Sequence, residues 1–185
     1  MDDNTLKKRL LNYNPNDNNQ LKIRDQMLNF LSEHGDCFER SFMPGHFTAS
    51  AWLLNKAGDS ALLMHHAKLK LWLQLGGHCD GNCDVLDVAL KEAREESGIQ
   101  SIEPVSTEIF DLDIHKIPIY KNDPEHLHYD VRFLLQVQSD EPLKANNESD
   151  ALKWFHFNES LPTNESSVTR MFKKWVVLLS VLNCF

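Results

Sequence analysis

The spacing of apolar residues switches between helical and strand periods along the chain. Helical spacing predicts four helices, two within residues 4–35, one at 84–97 and one at about 166–181. Alternation of apolar and polar residues predicts six strands, at 47–54, from about 61, at 71–75, 108–113, 129–137 and 152–157. Turn-favouring residues at 14–18 separate the first two helices, and Gly76 and Gly77 are predicted to end the third strand.

This order of elements favours a layered α/β fold. Helices lie before, between and after the strands, which is typical of a sheet covered by helices. We expect residues 1–46 to form an N-terminal helical extension packed on a domain formed by residues 47–185. The extension either covers one face of the sheet or makes a dimer contact, so a homodimer is left open.

The composition indicates one compact domain without a polyanionic or membrane partner. The 185 residues contain 27 Asp and Glu against 19 Lys and Arg, a net charge of -8, so the broad positive field that attracts nucleic acid polymers is lacking. The longest apolar stretch, 175–182, is shorter than the roughly 20 residues of a membrane span. Without a secretory signal pattern, the four cysteines are expected to be reduced thiols in a cytoplasmic protein.

The strongest chemical signal is three glutamates on the predicted helix at 84–97. At about 100° per residue, Glu92, Glu95 and Glu96 share one arc of its surface. Like charges this close repel one another, and a divalent cation would relieve the repulsion. Oxygen ligands suit Mg²⁺ or Mn²⁺. A solvated surface helix is the alternative, but the glycine pair and loop before the helix favour a phosphate-binding site.

The segment 77–99 resembles the Nudix box, which reads G-x5-E-x7-R-E-U-x-E-E-x-G-U with U bulky and apolar. The spacing is kept throughout, and the matching residues are Gly77, Glu92, Glu95, Glu96, Gly98 and Ile99. The resemblance implies a Nudix-like α/β/α sandwich with a mixed sheet. It also implies that Glu92, Glu95 and Glu96 hold the metal together with the backbone carbonyl of Gly77.

Three positions depart from the family pattern. Cys83 replaces the first glutamate of the box, Lys91 replaces its arginine, and Leu75 stands where a proline often precedes the glycine pair. In the family the first glutamate and the arginine mainly shape the loop and helix. Because both partners are replaced together, neither leaves a stranded charge. Lys91 can still pair with Asp87 or Glu95. We therefore expect an intact metal site on an altered scaffold.

A second group of polar side chains crowds residues 111–130. It comprises Asp111, Asp113, His115, Glu125, His126, His128 and Asp130. Histidine can donate to phosphate or act as a base near neutral pH, and the enclosed loop at 116–124 is a candidate for gating a substrate. The predicted substrate contacts are Trp72, His115, His128 and Arg132.

A late acidic residue completes the predicted catalytic set. Glu148 precedes the strand at 152–157, and its surroundings look like the late acidic turn of many Nudix proteins. The predicted catalytic residues are Glu95, Glu96 and Glu148.

The resemblance implies a pyrophosphohydrolase dependent on Mg²⁺ or Mn²⁺ that acts on a small-molecule diphosphate, such as a nucleoside diphosphate derivative. A non-catalytic Nudix-like sensor module is the alternative, because Cys83 and Lys91 depart from the box. Prenyl diphosphate isomerisation also occurs on this fold, but it needs a cysteine on the opposing wall and none is evident. A zinc site at His78, Cys79 and Cys83 lacks a second ligand pair.

Overall fold

The computed structural model describes residues 4–15, 17–119 and 124–182. Within these ranges the elements follow one another as α1 (Asn4–Asn12), α2 (Asn18–Glu33), β1 (Gly45–Leu54), β2 (Ser60–His66), β3 (Trp72–Leu73), β4 (Leu75–His78), α3 (Val85–Ser97), β5 (Ile102–Pro104), β6 (Asp111–Ile117), β7 (His126–Val137), β8 (Ser149–His156) and α4 (Ser166–Leu182). None of the described helices combines the length and apolar character needed to cross a membrane.

The strands form one mixed sheet around a parallel pair, β1 and β7. These two run side by side from Gly45 opposite Leu127 to Leu54 opposite Gln136. Strand β2 pairs antiparallel with β1 at Leu54, the last residue of β1. Strand β4 pairs antiparallel with residues 48–51, in the middle of β1. Strands β5 and β6 pair antiparallel with β7, while β3 and β8 pair with β2. Residues 48–51 of β1 therefore lie between β4 and β7.

Alternate side chains of β1 face two hydrophobic cores on opposite sides of the sheet. Phe47 and Ala49 belong to the core shared with α1, α2 and α3. Trp52 belongs to the second core, where it meets Trp175 of α4 with ring centroids 6.3 Å apart. Helices thus cover both faces, and the predicted α/β/α sandwich with a mixed sheet is confirmed.

The N-terminal helices pack on the sheet face that also carries α3. Leu10 of α1 is fully buried in the first core, and the ring of Phe30 stacks on Tyr129 with centroids 3.9 Å apart. Arg9 reaches Asp84 at the start of α3, with 3.3 Å between guanidinium and carboxylate. The extension thus shares a core with the sheet, and the division of the chain into an extension of residues 1–46 and a domain of residues 47–185 stays a prediction.

The prediction that Gly76 and Gly77 end a strand is wrong, because both lie inside β4. A Cβ at Gly77 would lie 2.6 Å from the Glu92 carboxylate, and one at Gly76 would lie 2.7 Å from the carbonyl oxygen of Ala49. The glycines therefore permit a close approach of chain segments instead of making a turn.

The number of strands and several of their boundaries also differ from the expected ones, as β5 and β6 illustrate. Strand β5 has three residues, too few for an alternation pattern to reveal. Strand β6 extends to Ile117 and includes Lys116, which was expected in the loop. The part of that gating loop at 120–123 lies outside the described residues.

Candidate active site

Local sequence signals fix both ends of α3, the helix that carries the three glutamates. Asp84 caps its N-terminus and accepts a hydrogen bond from the Asp87 amide. Gly98 ends it in the left-handed conformation, with φ of 77°, and donates its amide to the Arg94 carbonyl. These caps define the ends of the helix, so all three glutamates lie on regular helix.

The three glutamates occupy very different surroundings. Glu96 is 1% exposed, whereas the side chain of Glu95 is 58% exposed. Oε2 of Glu96 accepts a 2.8 Å hydrogen bond from the Gly76 amide, and its Oε1 has no partner among the described residues. Burial raises the pKa of Glu96 to about 8 against the opposing hydrogen bond from Gly76, and the carboxylate of Glu92 adds to the rise.

The Glu92 side chain contacts both strand β4 and Lys91. Its carboxylate packs directly on Gly77, where a side chain would displace it. Burial raises the pKa of Glu92, and the ammonium of Lys91, 3.3 Å away, opposes this rise. Lys91 also lies 3.7 Å from Glu95, so it bridges two of the box glutamates.

Glu148, in the turn before β8, lies close enough to the box glutamates for its charge to act on them. Its backbone carbonyl accepts a 2.8 Å hydrogen bond from the Ala67 amide, which fixes the turn before β8. The negative charge of Glu148 contributes to raising the pKa of both Glu92 and Glu96. The structure therefore brings Glu148 into the same electrostatic neighbourhood as the box glutamates.

An arginine from the N-terminal segment also faces this site, and the sequence analysis missed it. The guanidinium of Arg40 binds the Asp80 carboxylate through two nitrogens. This hydrogen bonding raises the pKa of Arg40, and the carboxylates of Glu92 and Glu148 contribute to the same shift. No local pattern marks Arg40, because its position depends on how residues 36–42 pack on the loop before α3.

Four imidazoles form a second polar group, which we call the histidine cluster: His46, His78, His126 and His128. The ring of His46 has its centroid 4.8 Å from that of His128, 5.0 Å from that of His126 and 5.1 Å from that of His78. Burial lowers the pKa of His46 to about 4 and that of His128 to about 2, and the neighbouring histidines add to both shifts.

The predicted substrate contacts His115 and His128 lie opposite each other on β6 and β7. Their ring centroids are 5.4 Å apart, and the side chain of His115 is 41% exposed and hydrogen-bonded to Asp113. His46 and His78 lie far from this pair in sequence. No sequence motif marks His46 as a site residue.

Arg132 has its donors occupied within the protein. It is 1% exposed, and its guanidinium pairs with Asp130 at 2.6 Å, Asp111 at 3.3 Å and Asp113 at 3.4 Å. Arg170 of α4 binds two of these aspartates as well. These two arginines and three aspartates join β6, β7 and α4. A phosphate contact by Arg132 is therefore disfavoured.

Trp72 and Cys79 lie in packed surroundings. The Trp72 ring meets His65 and Phe155, with centroids 5.3 and 5.4 Å away. Cys79 is buried in the first core, and this burial raises the pKa of its thiol, which keeps it protonated. A reactive thiolate at Cys79 is therefore disfavoured.

Comparison with known proteins identifies the family. The NUDIX domain model matches residues 44–176. A NUDIX-family hydrolase from Clostridium perfringens shares 26% sequence identity, with a TM-score of 0.52 over 72% of this chain and 97% of the other. An Ap4A hydrolase from C. elegans, 16% identical, has a TM-score of 0.59 over 73% of this chain and 98% of the other.

A third similar structure also includes the N-terminal helices. It is described as a UDP-X diphosphatase, is 13% identical and aligns over 97% of this chain and 90% of its own, with a TM-score of 0.52. Comparison with curated sequences found no significant match. The family model covers well over half of the chain and contains the glutamates of α3. The chain therefore belongs to the Nudix family.

Proposed function

We propose that this protein is a divalent-metal-dependent hydrolase that cleaves the diphosphate linkage of a nucleoside diphosphate derivative or a related small molecule. The observation that carries the proposal is the buried carboxylate of Glu96, held beside Glu92 and within the field of Glu148. A purely structural helix would gain nothing from this arrangement, since burial and like charges both oppose ionisation.

The donor set fits a hard divalent cation such as Mg²⁺ or Mn²⁺. Oε1 of Glu96 is buried and has no hydrogen-bond partner among the described residues, so it is available as a ligand. Glu92, Glu95 and the Gly77 carbonyl would complete a set made only of oxygens. When bound, the cation supplies positive charge to the diphosphate and activates water for attack on phosphorus.

The protein's own groups would divide the remaining work. Glu148 is exposed, so its carboxylate can accept the proton of the attacking water. Arg40 would exchange part of its contact with Asp80 for a phosphate oxygen, because its planar fork suits phosphate. His115 and Trp72 are proposed to contact the outer group of the substrate.

The substrate panel follows from the similar structures. Proteins described as an Ap4A hydrolase, an ADP-ribose pyrophosphatase and a UDP-X diphosphatase share the fold at 13–22% identity. Identity this low supports the fold alone and does not favour one of these substrates over another. The panel should therefore contain diadenosine tetraphosphate, ADP-ribose and several UDP-linked compounds.

The test is product release from this panel with Mg²⁺, with Mn²⁺ and with EDTA. We expect turnover of at least one compound only when a metal is present, and a drop of about 10²-fold or more in Glu95→Gln. Asp25→Asn, on exposed surface in α2, is the matched control and should leave the rate unchanged. Tight binding of a nucleotide without turnover would favour the sensor alternative.

A further inference from the structure

The histidine cluster is assembled from three neighbouring strands. His46 lies opposite His128 in the parallel register of β1 and β7, and β4 brings His78 opposite Thr48 on the other edge of β1. One ligand nitrogen from each of these three histidines can be chosen so that all lie within 4.8 Å of one another. Three imidazoles therefore converge without belonging to the carboxylate set of α3.

The buried imidazole of His46 lacks the partners that such a group normally has. His46 is 1% exposed, and neither ring nitrogen makes a hydrogen bond of normal geometry with the described residues, although the Phe42 backbone lies close enough to affect its pKa. A buried polar group without a partner costs about 1–3 kcal/mol. A metal ion bound by the free nitrogen lone pair would satisfy it.

We propose that His46, His78 and His128 bind a divalent transition-metal ion, specifically Zn²⁺. Imidazole nitrogens suit Zn²⁺, whereas the carboxylates of α3 suit Mg²⁺ or Mn²⁺, so the two sites select different metals by donor type. A neutral imidazole carries one nitrogen lone pair that can bind a metal, so each of the three rings can supply one ligand. This assignment gives His128 a ligand role in place of the substrate contact predicted from sequence.

His126 supports the geometry of a metal site. Its Nδ1 lies 2.8 Å from the Pro124 carbonyl and donates to it, so its Nε2 presents a lone pair. That Nε2 lies 3.3 Å from Nε2 of His128. The two rings can share a hydrogen bond through these nitrogens, so His126 orients the His128 ring, and the proposed ligands remain His46, His78 and His128.

Bound Zn²⁺ would link β1, β4 and β7 at the end of the sheet where the N-terminal extension joins it. His78 directly follows Gly77, so the ion would also hold the strand against which the Glu92 carboxylate packs. The proposal does not depend on hydrolase activity, because the ligands belong to a separate donor set.

The test is metal binding by untagged, chelator-treated full-length protein. In buffer with excess Mg²⁺, we expect one Zn²⁺ per chain by equilibrium dialysis and elemental analysis. With Zn²⁺ at about 100 times Kd, Tm should rise by roughly 5–10 °C. Co²⁺ in place of Zn²⁺ should show the intense visible absorption of a four- or five-coordinate nitrogen site.

Variants separate this site from the carboxylates. His78→Gln and His128→Ala should each lose at least tenfold in Zn²⁺ affinity, with circular dichroism confirming that they fold. His156→Ala is the matched control, since this histidine lies outside the cluster and bonds Asn158, and it should bind normally. Glu95→Gln should also bind normally.

Two results would overturn the proposal. One is Zn²⁺ binding that is lost in Glu95→Gln but kept in His78→Gln, which would place the ion at the carboxylates. The other is Zn²⁺ binding that is the same in the wild type, His78→Gln and His128→Ala, with equal stoichiometry, equal affinity and an equal rise in Tm. If His78→Gln loses Zn²⁺ binding and keeps its hydrolase activity, the result supports the zinc site and does not affect the proposed function.

Discussion

Replacing Glu96 by Gln should stabilise the metal-free protein while abolishing its activity. The carboxylate is buried and its pKa is raised from 4.5 to about 8, so at neutral pH the folded protein must either take up a proton or hold an unfavourable charge. Glutamine keeps the size of the side chain and can still accept the hydrogen bond from the Gly76 amide. It removes the group whose ionisation opposes folding.

The magnitude follows from the shift in pKa. Because the folded-state pKa lies above the unfolded value, the penalty is absent below about pH 4.5, grows as the pH rises and is complete above about pH 8. At pH 7 it amounts to about 3 kcal/mol in the free energy of unfolding. A weaker hydrogen bond from Gly76 costs about 1 kcal/mol in the variant. The net gain of about 2 kcal/mol corresponds to a rise in Tm of roughly 4–8 °C.

Thermal unfolding in EDTA, followed from pH 5 to pH 8, measures this effect. The wild type should lose stability with rising pH more steeply than Glu96→Gln, and the two should converge near pH 5. Glu95→Gln is the matched control, because its exposed side chain leaves stability nearly unchanged while metal-dependent turnover falls. The reasoning is refuted if Glu96→Gln is no more stable than the wild type at pH 7 and the pH dependence is the same.

Three further substitutions test separate parts of the structure. Gly77→Ala should lower metal-dependent initial rates at least tenfold, because its Cβ would lie 2.6 Å from the Glu92 carboxylate. Gly35→Ala is the control and should leave the rates unchanged, because a Cβ there would meet no described neighbour within 4 Å. Arg132→Met should lower the free energy of unfolding in urea by roughly 3–5 kcal/mol, because three carboxylates lose a buried cation; a loss below 1 kcal/mol would contradict the ion-pair account. Cys83→Ser should retain at least half of the wild-type turnover, since no proposed step uses a thiol, and abolished turnover would point to cysteine chemistry instead.

Features set by local sequence were predictable, and helix α3 is the clearest case. Asp84, Gly98 and the apolar spacing between them fix its ends and its buried face. The box glutamates could therefore be assigned to one arc of one helix. Their different burial could not be predicted, because it depends on how the helix packs on β4, where Gly77 leaves room for Glu92.

Features set by long-range packing were missed or misread. Arg40 faces the site because the Phe38 carbonyl accepts from the Gly81 amide, a contact between segments far apart in sequence. His46 meets His128 only through the parallel register of β1 and β7. Arg132 was predicted to be a phosphate contact, but the pairing of β6 with β7 surrounds it with aspartates. The last two cases require a strand register that alternation alone does not supply, and the first requires a contact between two loops.

The most direct test of the proposed function is hydrolysis of the diphosphate panel in water enriched in oxygen-18, with products analysed by mass spectrometry. With Mg²⁺ or Mn²⁺, we predict that one phosphate product per cleavage carries a single heavy oxygen, because water attacks phosphorus. With EDTA, or in Glu95→Gln, labelled product should be about 10²-fold scarcer. Labelled product that forms equally fast in EDTA, or the absence of any labelled product with saturating metal and stoichiometric protein, would contradict the account.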